Sequence, residues 1–229
     1  MIRKISSTQF LEYKICPLSY YYKYVKGFNK IPFDTKEDTQ IGKDIHKIIE
    51  LFAKGNKIPE NYINQNKLIK DAFDYYVEKY HVENENIKNE FEFNLPIFIE
   101  NKKIFLVGRI DQLIIEKDKA TIIDWKTGEK FTKASNIKNF LQLNFYAYVI
   151  HKFFNISNIE LKLVYLSAKK EFSKNIELEK LLVIEEEIKD MIKNTYTEKV
   201  NYIPNPINID KDIPFCKICN FLEFCDKYI

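Results

Sequence analysis

Between Asn89 and Thr127 apolar side chains recur at every second position or run on for strand-like lengths. The segments are "NEFEFNLPIFIE" (89–100), "KKIFLVGRIDQLIIE" (102–116) and "KATIIDWKT" (119–127). Period two is the strand pattern, and charged turns separate the runs, so a meander of three or four strands is predicted. Upstream the period is that of a helix. In "TQIGKDIHKIIELFA" (39–53), Ile41, Ile45, Ile48, Ile49 and Phe52 share one stripe, and Gly55 stops it. A further helix is predicted over 65–80. The first forty residues read as two helical pieces, Ser6 and Gln9 being spaced as a capping box and Pro17 opening the piece that contains "LSYYYKYV". Downstream, a helix is predicted over 136–154, a strand over 159–168 and a long helix over 176–194. The tail from Tyr202, with Pro204, Pro206 and Pro214, reads as irregular until the last cysteines.

Helices, a strand meander, a helix and another strand predict an α/β fold with a mixed central β-sheet flanked by helices. No repeat, low-complexity tract or linker divides residues 1–229, which read as a single domain. With 45% hydrophobic and 15% aromatic residues the chain can bury a substantial core. Five glycines and seven prolines are too few for a disordered chain.

Charge changes the picture little. Thirty-six basic and thirty-three acidic residues leave a net charge of +3, which neither demands nor excludes a nucleic-acid partner. The start, "MIRKISSTQFLEYK", lacks the apolar segment of a secretory signal, and no run approaches the roughly 18 to 20 apolar residues of a membrane span. The expectation is a soluble, cytoplasmic protein without a membrane partner. Its four cysteines then lie in a reducing compartment, where metal binding outcompetes disulfide formation.

Candidate chemistry concentrates in "GRIDQLIIEKDKATIIDWKTG" (108–128). If Lys117 and Asp118 form a two-residue loop, Glu116 faces Lys119 and Asp111 comes opposite Asp124, with opposed Cβ atoms about 4.5 to 5.5 Å apart. Lys126 then shares the face of Asp124, and Trp125 points to the other. Asp124 and Lys126 alone make an ordinary surface ion pair, worth about 0 to 1 kcal/mol. Two opposed aspartates repel, however, and a divalent cation with oxygen ligands is the alternative reading. His46, beside the apolar stripe of its helix, fits either a hydrogen-bonded boundary residue or a ligand. Gln142 and Tyr146, one helical turn apart, fit either a helix boundary with a core tyrosine or a pair reaching into a cleft.

The C-terminal "PFCKICNFLEFC" spaces Cys216, Cys219 and Cys225 as C-x2-C-x5-C, and Cys16 stands far upstream in "EYKICPLSYYYKY". Four thiols can form one tetrathiolate site, and the spacing is compatible with zinc or with a [4Fe–4S] cluster. "LSYYYKYVKGFNK" interleaves tyrosines with Lys23, Lys26 and Lys30. Its tyrosines fit either stacking on unpaired bases or, the favoured reading, packing beneath the cysteines from an amphipathic helix, with the lysines left for nucleic acid. Lys130, Lys133 and Lys138 follow the last strand of the meander and are candidates for phosphate contacts.

Taken together, "GRID" followed by "IIDWKTG" resembles the nuclease motif of the PD-(D/E)XK superfamily, in its RecB-like branch. "IGKDIHKIIE" matches that branch's helical histidine, and "LQLNFYAYVI" matches its glutamine–tyrosine motif. The "CP" of Cys16 and Pro17, with the three C-terminal cysteines, resembles the subset that holds a [4Fe–4S] cluster. That subset includes the AddB nuclease domain and CRISPR-associated RecB-like exonucleases.

The resemblance implies a restriction-endonuclease-like core whose N- and C-terminal helical regions, about 1–30 and 202–229, are stapled by a cluster on Cys16, Cys216, Cys219 and Cys225. It implies His46, Asp111, Asp124 and the carbonyl of Trp125 as ligands of Mg²⁺ or Mn²⁺. Lys126 would act on the attacking water or the transition-state charge, with Gln142 and Tyr146 positioning Lys126 or the substrate. The implied activity is a metal-dependent DNA nuclease, an exonuclease on single strands or free ends, serving CRISPR adaptation and antiviral defence or DNA recombination and repair, with the corresponding protein partners. Two alternatives stay open, a zinc-stapled nuclease and a non-catalytic, cluster-stabilised DNA-binding or adaptor protein. The upstream acid of many relatives has three claimants here, Glu90, Glu92 and Glu100.

Overall fold

The computed structural model describes residues 3–28, 36–82, 84–99, 101–128, 132–196, 202, 206–210 and 213–225. Lys30, Glu100, Lys130 and Pro204 lie outside the described residues. The elements are β1 (Arg3–Ser6), α1 (Ser7–Ile15), α2 (Pro17–Tyr20), α3 (Lys36–Ala53), α4 (Glu60–Asn64), α5 (Lys67–Lys79), β2 (Ile87–Ile99), β3 (Lys102–Glu116), β4 (Lys119–Lys126), α6 (Lys133–Phe154), β5 (Asn158–Tyr165), β6 (Lys170–Ile176) and α7 (Leu178–Tyr196). A small ribbon of β7 (Asn208–Asp210) and β8 (Ile213–Pro214) closes the tail.

The sheet runs β1-β3-β4-β5-β6, with β2 also paired to β3. β2, β3 and β4 form an antiparallel meander, while β1 joins β3 and β5 joins β4 in parallel. The mixed α/β fold is therefore the predicted one. On one face α1, α6 and α7 bury Phe10, Phe145, Ile150 and Ile188 against Ile104, Leu106, Ile110 and Ile122. On the other, α3 and α5 bury Ile45, Ile49, Phe73 and Tyr76 against Ile123, Trp125 and Val164. Period two explains the split: Ile122 points to the first core, Ile123 and Trp125 to the second.

Several expectations need correction. The first described residues are a strand, because Ile5 alternates with Lys4 and Ser6 and is buried where β1 pairs with β3. The capping box holds: Gln9 N donates to Ser6 Oγ at 3.3 Å, and Ser6 N donates to Gln9 Oε1 at 2.9 Å. The segment after Pro17 passes from α2 into a wider π-helical turn at Tyr21–Val25. The strand predicted over 159–168 ends at Tyr165, and the helix predicted from Ile176 starts at Leu178. Lys170–Ile176 is instead an edge strand on β5, where only Ile176 is buried and charged or polar residues occupy the exposed positions. The tail, expected to be irregular, contains the β7–β8 ribbon.

Candidate active site and cysteine cavity

The hairpin register is the one the loop length dictates. Glu116 pairs with Lys119, and the ladder continues to Gln112 and Ile123. At the next step the ladder ends, and Asp111 receives the Trp125 N–H on its side-chain Oδ2 at 2.8 Å. β1 pairs with β3 only as far as Val107, so Gly108 to Asp111 border a notch between β1 and β4. Across β2 the ladder also skips one step: Phe91 pairs with Ile110 and Asn89 with Gln112, while Glu90 between them has φ of 53°. The alternation shifts at this point. Ile104, Leu106, Ile110 and then Leu113 all face the first core. Gly108 allows close packing just before the notch, because a Cβ there would lie 2.6 Å from Phe93 Cζ.

The sequence-predicted charges gather at this notch. α3 brings His46 Nδ1 to 3.9 Å from Asp111 Oδ2, and the imidazole also faces the main chain of Trp125. Lys126 Nζ lies 2.6 Å from Asp124 Oδ2, a buried carboxylate oxygen with no well-aligned hydrogen bond. Trp125 itself is locked in the second core, its ring edge-on to Tyr76 at 5.6 Å and Tyr80 at 5.0 Å. From α6, Gln142 Nε2 donates to Tyr146 OH at 2.9 Å, and Ser7 Oγ donates to the same oxygen at 3.2 Å. Both of these bonds use the phenol oxygen as acceptor, and the phenol lies near the charges of Lys126, Asp124 and Asp111.

The electrostatics show a site short of positive charge. Burial, then the charge of Asp124, raise the Asp111 carboxyl to about 7, against the opposing pull of the Trp125 N–H and Lys126. Burial and the charge of Asp111 raise Glu90 as well, although Arg109 Nε stands 2.7 Å from Glu90 Oε2. His46 is lowered by burial, which the negative charge of Asp124 only partly offsets. Burial lowers Lys126 too, but the charges of Asp124 and Asp111 outweigh it and the net shift is upward. Two carboxylates, an imidazole and a main-chain carbonyl are a donor set that suits a hard divalent cation.

The cysteines meet elsewhere, where the chain termini pack together. Cys16 breaks the helix between α1 and α2, and Cys216, Cys219 and Cys225 lie on short turns after β8. All four are free thiols lining one cavity of about 210 Å³, which Leu18, Tyr22 and Phe221 enclose. Burial raises Cys216, and the neighbouring Cys16, Cys219 and Cys225 raise it further. Cys219 rises for the same first reason and receives the Phe221 N–H at 3.4 Å. As they stand, no three His, Cys, Asp or Glu side chains among the described residues are closed tightly enough to hold a metal ion.

A family model described as the PD-(D/E)XK nuclease superfamily matches residues 4–226. The chain belongs to that superfamily. Among solved structures, this superfamily member is similar to the crystal structure of SSO0001, at 18% identity and TM-score 0.48, over 100% of this chain and 89% of that one. It is also similar to an alkaline exonuclease (LHK-Exo) from Laribacter hongkongensis, at 12% identity and TM-score 0.40, over 83% of this chain and 86% of that one. No curated protein matches. Among the described residues, no helix is long and apolar enough to cross a membrane.

Within this PD-(D/E)XK chain the structure separates the claimants for the upstream acid. Glu90 stands in the notch beside Asp111 and His46, Glu92 is exposed one step away from it, and Glu100 lies outside the described residues. Four further residues escaped the sequence reading. Ser7 holds Tyr146, Arg109 holds Glu90, and Gly42 lets α3 approach Thr127, where a Cβ would meet Thr127 Oγ1 at 2.9 Å. Arg109 inside "GRID", Gly42 inside "IGKDIHKIIE" and Thr127 inside "IIDWKTG" stood in quoted motifs but carried no role there. Of the lysines set aside for nucleic acid, Lys23 pairs with Glu12 at 3.1 Å, Lys26 lies over the Tyr21 ring and Lys138 over Phe215 beside the cysteine cavity. Tyr20 and Tyr22 are buried, Tyr22 among the residues around the cysteines. Glu50 is occupied by Lys47 and Lys54, and Asp44 by Gln40.

Proposed function

We propose that the chain is a RecB-like, divalent-metal-dependent deoxyribonuclease that degrades single strands or free ends. The observation that carries this reading is the convergence of His46, Asp111 and Asp124 beside Lys126, with Trp125 main chain between them. His46, Asp111, Asp124 and the Trp125 carbonyl would hold Mg²⁺ or Mn²⁺, with Glu90 the upstream acid. When bound, such an ion stabilises developing phosphorane charge and acidifies a coordinated water. Lys126, kept cationic by Asp124, orients the attacking water and stabilises negative charge on the phosphoryl oxygens. Tyr146, held by Gln142 and Ser7, keeps its phenol beside Lys126 and limits where that ammonium can swing. The buried ring of Trp125 fixes the strand between both carboxylates, so the spacing of the donors is set before substrate arrives.

Cys16, Cys216, Cys219 and Cys225 would hold a [4Fe–4S] cluster, supported by their convergence on one enclosed cavity. Its role is mechanical, a staple joining the chain ends. CRISPR adaptation or DNA recombination and repair are the processes that such an activity serves. The test is hydrolysis of end-labelled single strands with Mn²⁺ by the wild type, Asp124→Ala and Lys126→Ala. Cleavage by the wild type alone supports the enzyme; equal cleavage by all three, or none by the wild type, favours a cluster-stabilised adaptor.

A further inference from the structure

Among the described residues, none covers one half of the sheet's second face. α3 and α5 pack over β4, β5 and the end of β3, but the outward positions of β1, β2 and the first half of β3 stay accessible. Their order follows from the registers. Phe98 lies beside Lys103, Pro96 beside Phe105 and then Lys4, and Glu92 beside Arg109. Phe98, one residue from the end of β2, is 71% exposed, a large apolar ring left to solvent. Lys103 Nζ sits 6.0 Å from the Phe98 ring and 5.2 Å from the Phe105 ring, so two aromatic faces and an ammonium form one cluster.

This face is continuous with the catalytic notch. Arg109 ends the row and lines a groove of about 520 Å³ together with His46, Gly42 and Thr127, with Lys43 and Lys47 on its α3 wall. From Lys103 to Asp111 the strand rises about 26 Å at roughly 3.3 Å per residue. Charge along it is mixed with a basic excess: Lys4, Lys103 and Arg109 stand against Glu92 and against Glu90, which pairs with Arg109, and in the groove Lys43 and Lys47 stand against Glu50. One exposed ring, Phe98, and one half-buried ring, Phe105, with interleaved cations suit unpaired bases joined by phosphates, because every base has a face to stack. Paired bases keep their faces inside the duplex and offer these rings nothing.

We propose that the β2–β3 face is a stacking platform that leads a single-stranded nucleic acid into the notch, with Phe98 and Phe105 as base contacts and Lys4, Lys103 and Arg109 as phosphate contacts. This rests on the nuclease reading and names the substrate form, a strand unpaired over the few nucleotides before the scissile bond.

Fluorescence anisotropy with a labelled oligothymidylate of about 20 nucleotides, in EDTA so that no cleavage runs, tests it. The double variant Phe98→Ala, Phe105→Ala binds at least about tenfold more weakly than the wild type, while affinity for a blunt duplex of equal length changes little. An abasic strand of equal length binds the wild type as weakly as the normal strand binds the double variant. Lys103→Ala lowers the dependence of affinity on salt by about one phosphate's worth. Phe98→Ala alone, at an exposed position, shows a severalfold loss even if the double variant misfolds. A wild type that cleaves single strands while both variants bind them normally overturns the platform alone. Loss of self-association in place of strand affinity also overturns it, since the face then covers a second copy. A wild type that neither binds nor cleaves any nucleic acid overturns the platform and the nuclease reading together.

Discussion

The notch and the cysteine cavity both gather groups suited to a metal, yet they are assembled in opposite ways. Asp111, Asp124 and Lys126 come from one hairpin, placed by a ladder and by a tryptophan fixed in the core. Only His46 and Glu90 arrive from other elements. The cysteines come from the two ends of the chain, and their walls are short turns around Tyr22 and Phe221. The first site is scaffold-built and electrostatically unbalanced, the second apolar and tied together by few elements. If each site holds the metal proposed for it, the two losses separate: emptying the notch would remove chemistry and leave the fold, whereas emptying the cavity would loosen the fold and leave the notch intact.

The largest expected effect is catalytic. Asp124→Ala or Lys126→Ala lowers the rate of single-strand hydrolysis by about 10³-fold or more, with the melting temperature unchanged or slightly raised. A parallel fall in melting temperature would show that the notch is not independent of the fold.

Next comes the staple. Cys16 and Cys216 close a loop of about 200 residues, whose removal costs on the order of 5 kcal/mol in the chain-entropy view. Cys219→Ala therefore loses absorbance near 400 nm and melts on the order of 10 °C lower, while the variant that remains folded cleaves at close to the wild-type rate. Colourless wild-type protein containing zinc after anaerobic purification would replace the cluster but keep the staple.

A smaller effect follows from pH. With Asp111 held at about 7 against an ordinary value of 3.8, the metal-free folded state keeps a proton between these values that the unfolded chain has released. Stability of the metal-free protein therefore falls as pH rises from about 4 to about 7. Thermal melts across this window give that slope, and Asp111→Asn or a divalent ion flattens it. An identical slope in Asp111→Asn would assign the effect to other groups.

The smallest concerns α3. Gly42→Ala pushes Thr127 and the helix apart by a few tenths of an ångström, lowering activity severalfold through His46, and a second change, Thr127→Ala, restores it.

How much of this could be read beforehand depends on where the controlling interaction lies. The hairpin register needed only the two-residue loop and the alternation of isoleucines, both local, so Glu116 opposite Lys119 was legible. The cysteine spacing likewise pointed to neighbouring thiols, and the four line one cavity. The edge strand at Lys170–Ile176 was not legible, because an exposed edge needs few apolar residues and Ile176 alone is buried there. β1 escaped for the same reason, having only Ile5 to mark it. Glu90 could not be singled out, since its place follows from a positive φ and a skipped ladder step, which no side-chain pattern encodes. Ser7 and Thr127 belong to contacts made between distant elements, where periodicity carries no information.

The central claim is that His46, Asp111 and Asp124 share one divalent ion beside Lys126. Titration of Mn²⁺ followed by electron paramagnetic resonance tests it most directly, using the wild type, Asp124→Ala and Lys126→Ala. The account predicts bound Mn²⁺ in the wild type and in Lys126→Ala, with Asp124→Ala leaving the ion free in solution. Equal binding by Asp124→Ala and the wild type would contradict it.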